Sequence, residues 1–142
     1  MKVAPIFQEV IIKAPAYKVW QAITNKDNMK IWYFEVPEFK TEVGFSFTLY
    51  GEKEGRRFPI LCRITEVKLC EKLSYTWNYV NFPTETIVSF ELIALENETL
   101  VKFTHTGLEK MSPEHKDVSR DNHEKAWMAI IGDSLKNFVE RY

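Results

Sequence analysis

Histidines, cysteines and inward-facing aromatic rings are the side chains of this sequence that could carry out chemistry. His105 ends a segment in which Val101 and Phe103 alternate with polar residues, so its imidazole shares their apolar face. There it could exchange a hydrogen bond with a bound molecule, or it could be a core histidine satisfied by the backbone or a neighbouring hydroxyl. No Asp or Glu of its own strand shares that face to orient the ring, so we predict no catalytic residue.

The other two histidines, His115 and His123, do not have the spacing of a metal site. On one helix they would lie about 80° apart around the axis and about two turns distant. The sequence contains no HExxH motif, no CxxC motif and no carboxylate-rich loop. We therefore predict no metal and no cofactor, and we expect His123 to lie on a solvated helix face or at the mouth of a pocket.

Cys62 and Cys70 are predicted to be free, inert thiols. Cys62 shares the apolar face of its strand, and no predicted helix N-terminus or base lies beside either cysteine to lower the pKa of its thiol. Residues 1–10 contain no sustained apolar run of the signal-peptide type. We therefore expect a cytoplasmic protein whose cysteines remain reduced.

The composition is that of an ordinary soluble domain. The chain has 142 residues, of which 45% are hydrophobic and 27% charged, which excludes disorder and a coiled coil. The net charge of -1 leaves no basic field for a phosphate backbone, so no nucleic acid is expected as a partner. No apolar run approaches the ~20 residues of a membrane helix, so no membrane insertion is expected. We expect one domain over residues 1–142.

Hydrophobic periodicity predicts the elements that position these side chains. Ile6 to Ile12 has the character of a strand, and Pro15 introduces a helix that is followed by a second short helix over Asp27 to Trp32. From Phe39 to Thr106 the period is two, which indicates an antiparallel meander. A long helix is predicted from Pro113 to about Glu140, with apolar residues recurring every three or four positions.

Gly132 lies inside that long helix, where glycine costs about 1 kcal/mol relative to alanine. It indicates either a bend or a close approach of the helix to the sheet, together with Ala126 and Ala129. We expect the close approach.

This order of elements predicts an α+β architecture in which a curved antiparallel sheet of six to seven strands wraps around the long C-terminal helix. Such a sheet encloses space, and the inward side chains either fill that space or line a ligand cavity. The side chains predicted to line the cavity are Trp32, Phe47, Cys62, Tyr75, Trp77, Phe90, Phe103, His105, His123, Trp127 and Ile131. For each of them the alternative is core filling.

Short motifs spread over the chain resemble those of a known family. They are Ala14-Pro15, Val19-Trp20, Trp32, Thr76-Trp77, Thr104-His105-Thr106-Gly107, and His123 with Trp127. In order and spacing they resemble the bacterial single-domain proteins similar to the C-terminal domain of the activator of the heat-shock-protein-90 ATPase, within the START-like (SRPBCC) superfamily. The sequence departs from that pattern at Glu42-Val43-Gly44 and at Ala126. The resemblance implies a helix-grip fold with a cavity for an apolar or aromatic small molecule.

Three hypotheses for function follow from these observations. The first is a non-catalytic carrier or sensor of a small hydrophobic ligand, lipid-like or polyketide-like. The second is a cyclase-like enzyme that uses His105 and a loop acid such as Glu35. The third is a co-chaperone or stress-response module. Because the sequence starts at the predicted first strand, we expect no counterpart of the N-terminal domain of the two-domain activators. The sequence therefore offers no support for contact with a chaperone. We expect a monomer or weak dimer.

Overall fold

The computed structural model describes residues 5–53, 55–80, 85–108 and 120–141. Its strands are β1 (Ile6–Ile12), β2 (Ser46–Lys53), β3 (Arg56–Lys68), β4 (Lys72–Tyr79), β5 (Thr86–Ala94) and β6 (Thr99–Thr106). Its helices are α1 (Ala16–Thr24), α2 (Lys26–Trp32), α3 (Arg120–Ala129), a π-helical segment (Ile130–Leu135) and α4 (Lys136–Arg141). The predicted helix start at Pro113, together with His115, lies outside the described residues, as does the predicted turn from Asn81 to Pro83.

The six described strands form one open antiparallel sheet in the order β1-β6-β5-β4-β3-β2. The curved sheet and the C-terminal helix confirm the predicted α+β helix-grip fold. The C-terminal helix contacts β1 through all three of its segments. Its side chains pack on the concave face of the sheet, because Trp127 lies directly against Phe103 of β6.

The period of two in the meander confirms which side chains face inward. Every second residue of β5 and β6 is buried, as shown by Val88, Phe90, Leu92, Val101, Phe103 and His105. The same alternation buries Phe47 and Leu49 on β2, and Ile60, Cys62 and Ile64 on β3. Successive side chains of a strand point to opposite faces, so one apolar face per strand produces one continuous core.

Local capping explains where the short second helix begins. The side chain of Asn25 accepts hydrogen bonds from the backbone N–H groups of Asp27 (2.9 Å) and Asn28 (3.2 Å). These bonds satisfy two donors that the first turn of a helix leaves unpaired. The helix ends at Trp32, whose indole Nε1 donates to the carbonyl of Ala22 at 2.7 Å and so ties α2 to α1.

The π-helical segment keeps one face of the C-terminal helix on the sheet. The buried residues of the C-terminal helix, Trp127, Ile131, Leu135 and Val139, are spaced four positions apart. On a regular α-helix with 3.6 residues per turn, this spacing drifts by about 40° per step. A π-helical turn contains more residues, so the segment reverses the drift and holds all four side chains against the core.

The expected close packing at Gly132 is wrong. Gly132 lies within the π-helical segment, and a Cβ placed there would meet no atom within 4 Å. Ala126 and Ala129 are exposed. The small residues mark a change in helical geometry and an outer face, because the large side chains of the same helix make the contact with the sheet.

Candidate functional site

A cavity of about 240 Å³ lies between the sheet and the C-terminal helix. Its lining comprises Phe34, Glu52, Phe58, Ile60, Trp77, Tyr79, His123, Ala126, Trp127 and Ile130. We name it the sheet–helix cavity. Glu52 and Ala126 are exposed, so the cavity opens to the surface beside them. Its volume is slightly below the ~300 Å³ at which pockets for drug-sized ligands begin, so it suits a smaller molecule.

Trp77 supplies an unpaired hydrogen-bond donor to this cavity. Its side chain is 2% exposed, and its indole Nε1 has no hydrogen-bond partner among the described residues. Its ring meets those of Trp127 at 5.2 Å and Phe34 at 5.8 Å, both edge to face. A buried donor left unpaired costs about 1–3 kcal/mol, so a ligand with an acceptor at this point would gain a bond that none of the described residues makes.

Tyr79 and His123 form a polar wall on the same cavity. The hydroxyl of Tyr79 lies 2.6 Å from Nε2 of His123, which places β4 in direct contact with α3. Burial raises the pKa of Tyr79 to about 12, and the indole of Trp77, which lies near this hydroxyl but outside hydrogen-bond geometry, lowers it in part. The Tyr79 hydroxyl therefore stays protonated at neutral pH.

His105 lies behind this wall, with both ring nitrogens hydrogen-bonded. Its Nδ1 accepts from Nε1 of Trp127 at 3.0 Å, and its Nε2 lies 2.8 Å from Oγ1 of Thr86. Because the Thr86 hydroxyl donates its single hydrogen to the carbonyl of Trp77, the hydrogen between His105 and Thr86 belongs to the imidazole. His105 is therefore the neutral Nε2–H tautomer.

Burial has a strong effect on the ionisation of His105. The residue is fully buried, and desolvation, followed by the nearby His123, lowers the pKa of its imidazole to about 2. Its nitrogens are used within the protein, as in the core-histidine interpretation.

The structure distributes the residues predicted to line a cavity over three places. Trp77, His123 and Trp127 line the sheet–helix cavity. Phe47 and Cys62 line a second pocket that opens on the convex side of the sheet. The other six predicted residues are buried in the core and line neither pocket. These residues are Trp32, Tyr75, Phe90, Phe103, His105 and Ile131.

Ring-to-ring packing explains why most of the predicted side chains line no cavity. Tyr33 stacks on Trp32 at 4.6 Å, and its hydroxyl bonds the hydroxyl of Tyr75. Phe103 lies 5.1 Å from Phe90 and 4.3 Å from Trp127. These rings fill the middle of the concave face, and the sheet–helix cavity lies beside them, towards β2, β3 and α3.

Several lining residues were not predicted from the sequence. Phe58, Ile60 and Tyr79 lie at inward positions of β3 and β4, so the alternation that indicated Trp77 was also a signal for them. Phe34 lies between α2 and β2, outside any periodic segment, and no sequence pattern indicated it.

Gly51 gives Phe58 its place at the cavity wall. The two residues are direct partners between β2 and β3. A Cβ at Gly51 would lie 2.5 Å from Cζ of Phe58, well inside van der Waals contact. Only glycine therefore allows the Phe58 ring to lie across this position.

We expect Gly51→Ala to lower the free energy of unfolding by about 1–3 kcal/mol, because the Phe58 ring must move. In a Phe58→Ala background the same substitution should have little effect, and a double-mutant cycle in urea measures this coupling. Gly132→Ala is the control for a methyl group that meets no atom within 4 Å, and it should leave stability unchanged or raise it by up to about 1 kcal/mol through helix propensity. Equal costs of Gly51→Ala in both backgrounds would contradict the assignment.

Other kinds of site have little support in the described ranges. No group of three or more His, Cys, Asp or Glu side chains in them could hold a metal ion. Cys62 and Cys70 are free thiols, and burial raises the pKa of Cys62. Among the described helices, none is long and apolar enough to cross a membrane.

Comparisons with solved structures support the fold. A protein from Mesorhizobium loti matches with a TM-score of 0.82 and 22% identity, covering 97% of this chain and 98% of the other. A protein from Bacillus halodurans matches with a TM-score of 0.77 and 28% identity, covering 98% and 99%. A dimer from Colwellia psychrerythraea matches with a TM-score of 0.74 and 24% identity, covering 97% of each chain. Matches below 25% identity establish the shared fold alone.

The sequence comparison is consistent with the structural one and more specific. No curated protein matches the chain. A family model described as "Activator of Hsp90 ATPase homolog 1-like protein" matches residues 13–140, and this range includes nearly all the described elements. It also includes the motifs from Ala14 to Trp127 that carried the resemblance. The chain therefore belongs to the family of activator of Hsp90 ATPase homolog 1-like proteins.

Proposed function

We propose that this protein binds a small aromatic molecule with a hydrogen-bond acceptor in the sheet–helix cavity, as a non-catalytic carrier or sensor. The observation that carries the proposal is the indole N–H of Trp77, which has no hydrogen-bond partner in the part of the chain that the structure describes. A donor buried in a protein ordinarily has a partner, and an unpaired one in a cavity indicates where a ligand acceptor would lie.

The walls of the cavity support an aromatic ligand. Rings of Phe34, Phe58 and Trp127 surround the space, with Ile60 and Ile130 as aliphatic contacts. Such walls favour a flat apolar body with offset or edge-to-face contacts.

The expected affinity depends on the polar contact. Burying about 250 Å² of apolar ligand surface at about 25 cal/mol/Å² gives about 6 kcal/mol, while association costs about 4 kcal/mol or more. The small surplus makes apolar contact alone weak. A hydrogen bond to Trp77 therefore decides which molecules bind well.

The ionisable groups support binding over proton transfer. A cyclase-like mechanism would use His105 or Glu35, but His105 has both nitrogens engaged and a pKa lowered to about 2. Glu35 does not line the cavity, and its carboxylate pairs with Arg57 at 3.0 Å on the surface. The Tyr79 hydroxyl, whose pKa is raised to about 12, stays protonated.

The test compares 1-indanone, which has a carbonyl acceptor, with indane, which has the same rings and no acceptor. We expect 1-indanone to shift the indole N–H signal of Trp77 saturably in an NMR titration. Trp77→Phe should weaken 1-indanone binding about 3- to 10-fold, which corresponds to one net hydrogen bond, and should leave indane binding within about twofold.

Trp20→Phe is the matched control, because Trp20 is a buried indole of α1 that does not line the cavity. It should leave both affinities unchanged. Equal weakening of both ligands by Trp77→Phe would contradict the role of the N–H group. If neither ligand shifted any indole signal of the folded protein, the proposed function would be wrong.

A further inference from the structure

A second pocket, of about 370 Å³, opens on the convex face of the sheet. Its walls include Leu61 and Arg63 of β3, Thr76 and Asn78 of β4, and Glu85. We name it the convex-face pocket. By the alternation of side chains along β3 and β4, it lies on the side of the sheet opposite Trp77 and the sheet–helix cavity.

The pocket lies where the pairing of β3 with β4 is interrupted. Leu61 pairs with Asn78 and Ile64 pairs with Tyr75, but the positions between them do not pair, and the register shifts after Ile64. In this gap the backbone N–H of Arg63 donates to Oγ1 of Thr76 at 2.9 Å. A side-chain hydroxyl thus replaces a backbone carbonyl and interrupts the backbone ladder. Cys62, an inward residue, also lines the pocket at this interruption.

One end of the pocket presents two hydrogen-bond acceptors. The Oδ1 atom of Asn78 is buried and has no partner among the described residues. Glu85 is exposed, forms no ion pair within the described part of the chain, and lies beside Asn78, because the adjacent residues Trp77 and Thr86 are strand partners. A carboxylate next to an amide oxygen suits a group with several donors and a positive charge, such as an ammonium.

The other end presents a cation. Asn78 pairs with Leu61, and Arg63 lies two residues further along β3. Arg63 is therefore displaced from the level of Asn78 by about 7 Å along the strand. Its side chain is exposed and makes no ion pair within the described ranges. A guanidinium binds a carboxylate through two parallel hydrogen bonds. The acceptors and the cation are therefore separated by about the length of a short molecule.

From this arrangement we infer that the convex-face pocket binds a small zwitterion of the amino-acid type. The ammonium group lies against Asn78 and Glu85, and the carboxylate lies against Arg63. This site is independent of the sheet–helix cavity and of the aromatic ligand proposed for it.

The test is an NMR titration of the whole chain with phenylalanine, leucine and glutamine, each also supplied as its methyl ester and its N-acetyl derivative. We expect at least one free amino acid to shift the side-chain amide signals of Asn78 saturably at millimolar concentration. The ester, which lacks the carboxylate, and the N-acetyl derivative, which lacks the ammonium, should bind at least about tenfold more weakly.

Two variants assign the ends of the ligand. With Arg63→Gln, the free amino acid should bind as weakly as its methyl ester. With Glu85→Gln, the free amino acid should bind as weakly as its N-acetyl derivative. Glu91→Gln and Lys102→Gln are matched controls, because these residues are cross-strand partners on β5 and β6, away from the pocket. They should leave binding unchanged.

Three results would overturn the inference. The first is the absence of a saturable shift for every free amino acid, and the second is binding that neither Arg63→Gln nor Glu85→Gln weakens. The third is a set of shifts confined to Trp77 and His123, which would assign the amino acid to the sheet–helix cavity. The indanone titration is separate, so failure of one site does not affect the conclusion for the other.

Discussion

Trp127→Ala is expected to destabilise the protein by about 3–5 kcal/mol, the range for truncating a large buried aromatic residue. The side chain is 1% exposed and lies 4.3 Å from the ring of Phe103 and 5.2 Å from that of Trp77. The substitution also removes the donor to Nδ1 of His105. The loss therefore combines a cavity in the core with an unpaired buried acceptor.

Urea unfolding of matched variants separates the two contributions. Trp127→Phe removes the indole N–H and part of the ring but keeps a buried aromatic side chain, so it should cost less than Trp127→Ala, about 1–3 kcal/mol. Met128→Ala changes the neighbouring residue, which is exposed, and should alter stability by less than about 0.5 kcal/mol. A cost below about 1 kcal/mol for Trp127→Ala would contradict the packing described for this helix.

Acidification below pH 6.5 is expected to destabilise the protein through His105. The pKa of His105 falls from 6.5 in the unfolded chain to about 2 in the folded protein. Between these values the unfolded state binds a proton that the folded state does not, so the free energy of unfolding rises with pH and falls as pH decreases. From pH 6.5 to pH 4.5 the loss from this residue should be about 2 kcal/mol.

The measurement is urea unfolding of the wild type and of His105→Asn at intervals from pH 7.5 to pH 4.5. Carboxylates contribute to the slope in both proteins. The difference between the two curves therefore isolates most of the effect of His105. We expect the variant to be less stable at pH 7.5 and to lose less stability on acidification. Parallel curves would show that His105 can be protonated in the folded protein.

The hydrogen bonds of His105 also matter for the proposed ligand site. They run from the indole of Trp127 to His105, from His105 to Thr86, and from Thr86 to the backbone carbonyl of Trp77. This chain joins the indole of Trp127 to the backbone of Trp77, and the rings of these two residues are neighbours in the cavity wall, 5.2 Å apart. A wall held by buried hydrogen bonds is organised before a ligand arrives, which reduces the cost of binding.

The sequence by itself determined the fold and the inward faces of the strands. The alternation of Val88, Phe90 and Leu92 with polar residues assigned β5 to the meander and gave its buried side. This worked because strand geometry fixes the side of every residue locally, with a period of two. The motifs around Trp77 and Trp127 were sufficient for the family resemblance that the match over residues 13–140 confirmed.

Only the tertiary structure decided which inward residues face empty space. Trp32, Trp77 and Trp127 were equivalent candidates in the sequence. In the structure the indole of Trp32 donates to Ala22 and that of Trp127 donates to His105, whereas the indole of Trp77 has no hydrogen-bond partner within the described ranges. These differences depend on contacts between remote segments, such as the hydrogen bond from Ser134 to Trp32 across 102 positions. Local periodicity determines which face of a strand or helix a side chain occupies. The distance between packed layers, and therefore the presence of a cavity, depends on contacts that form only in the folded chain.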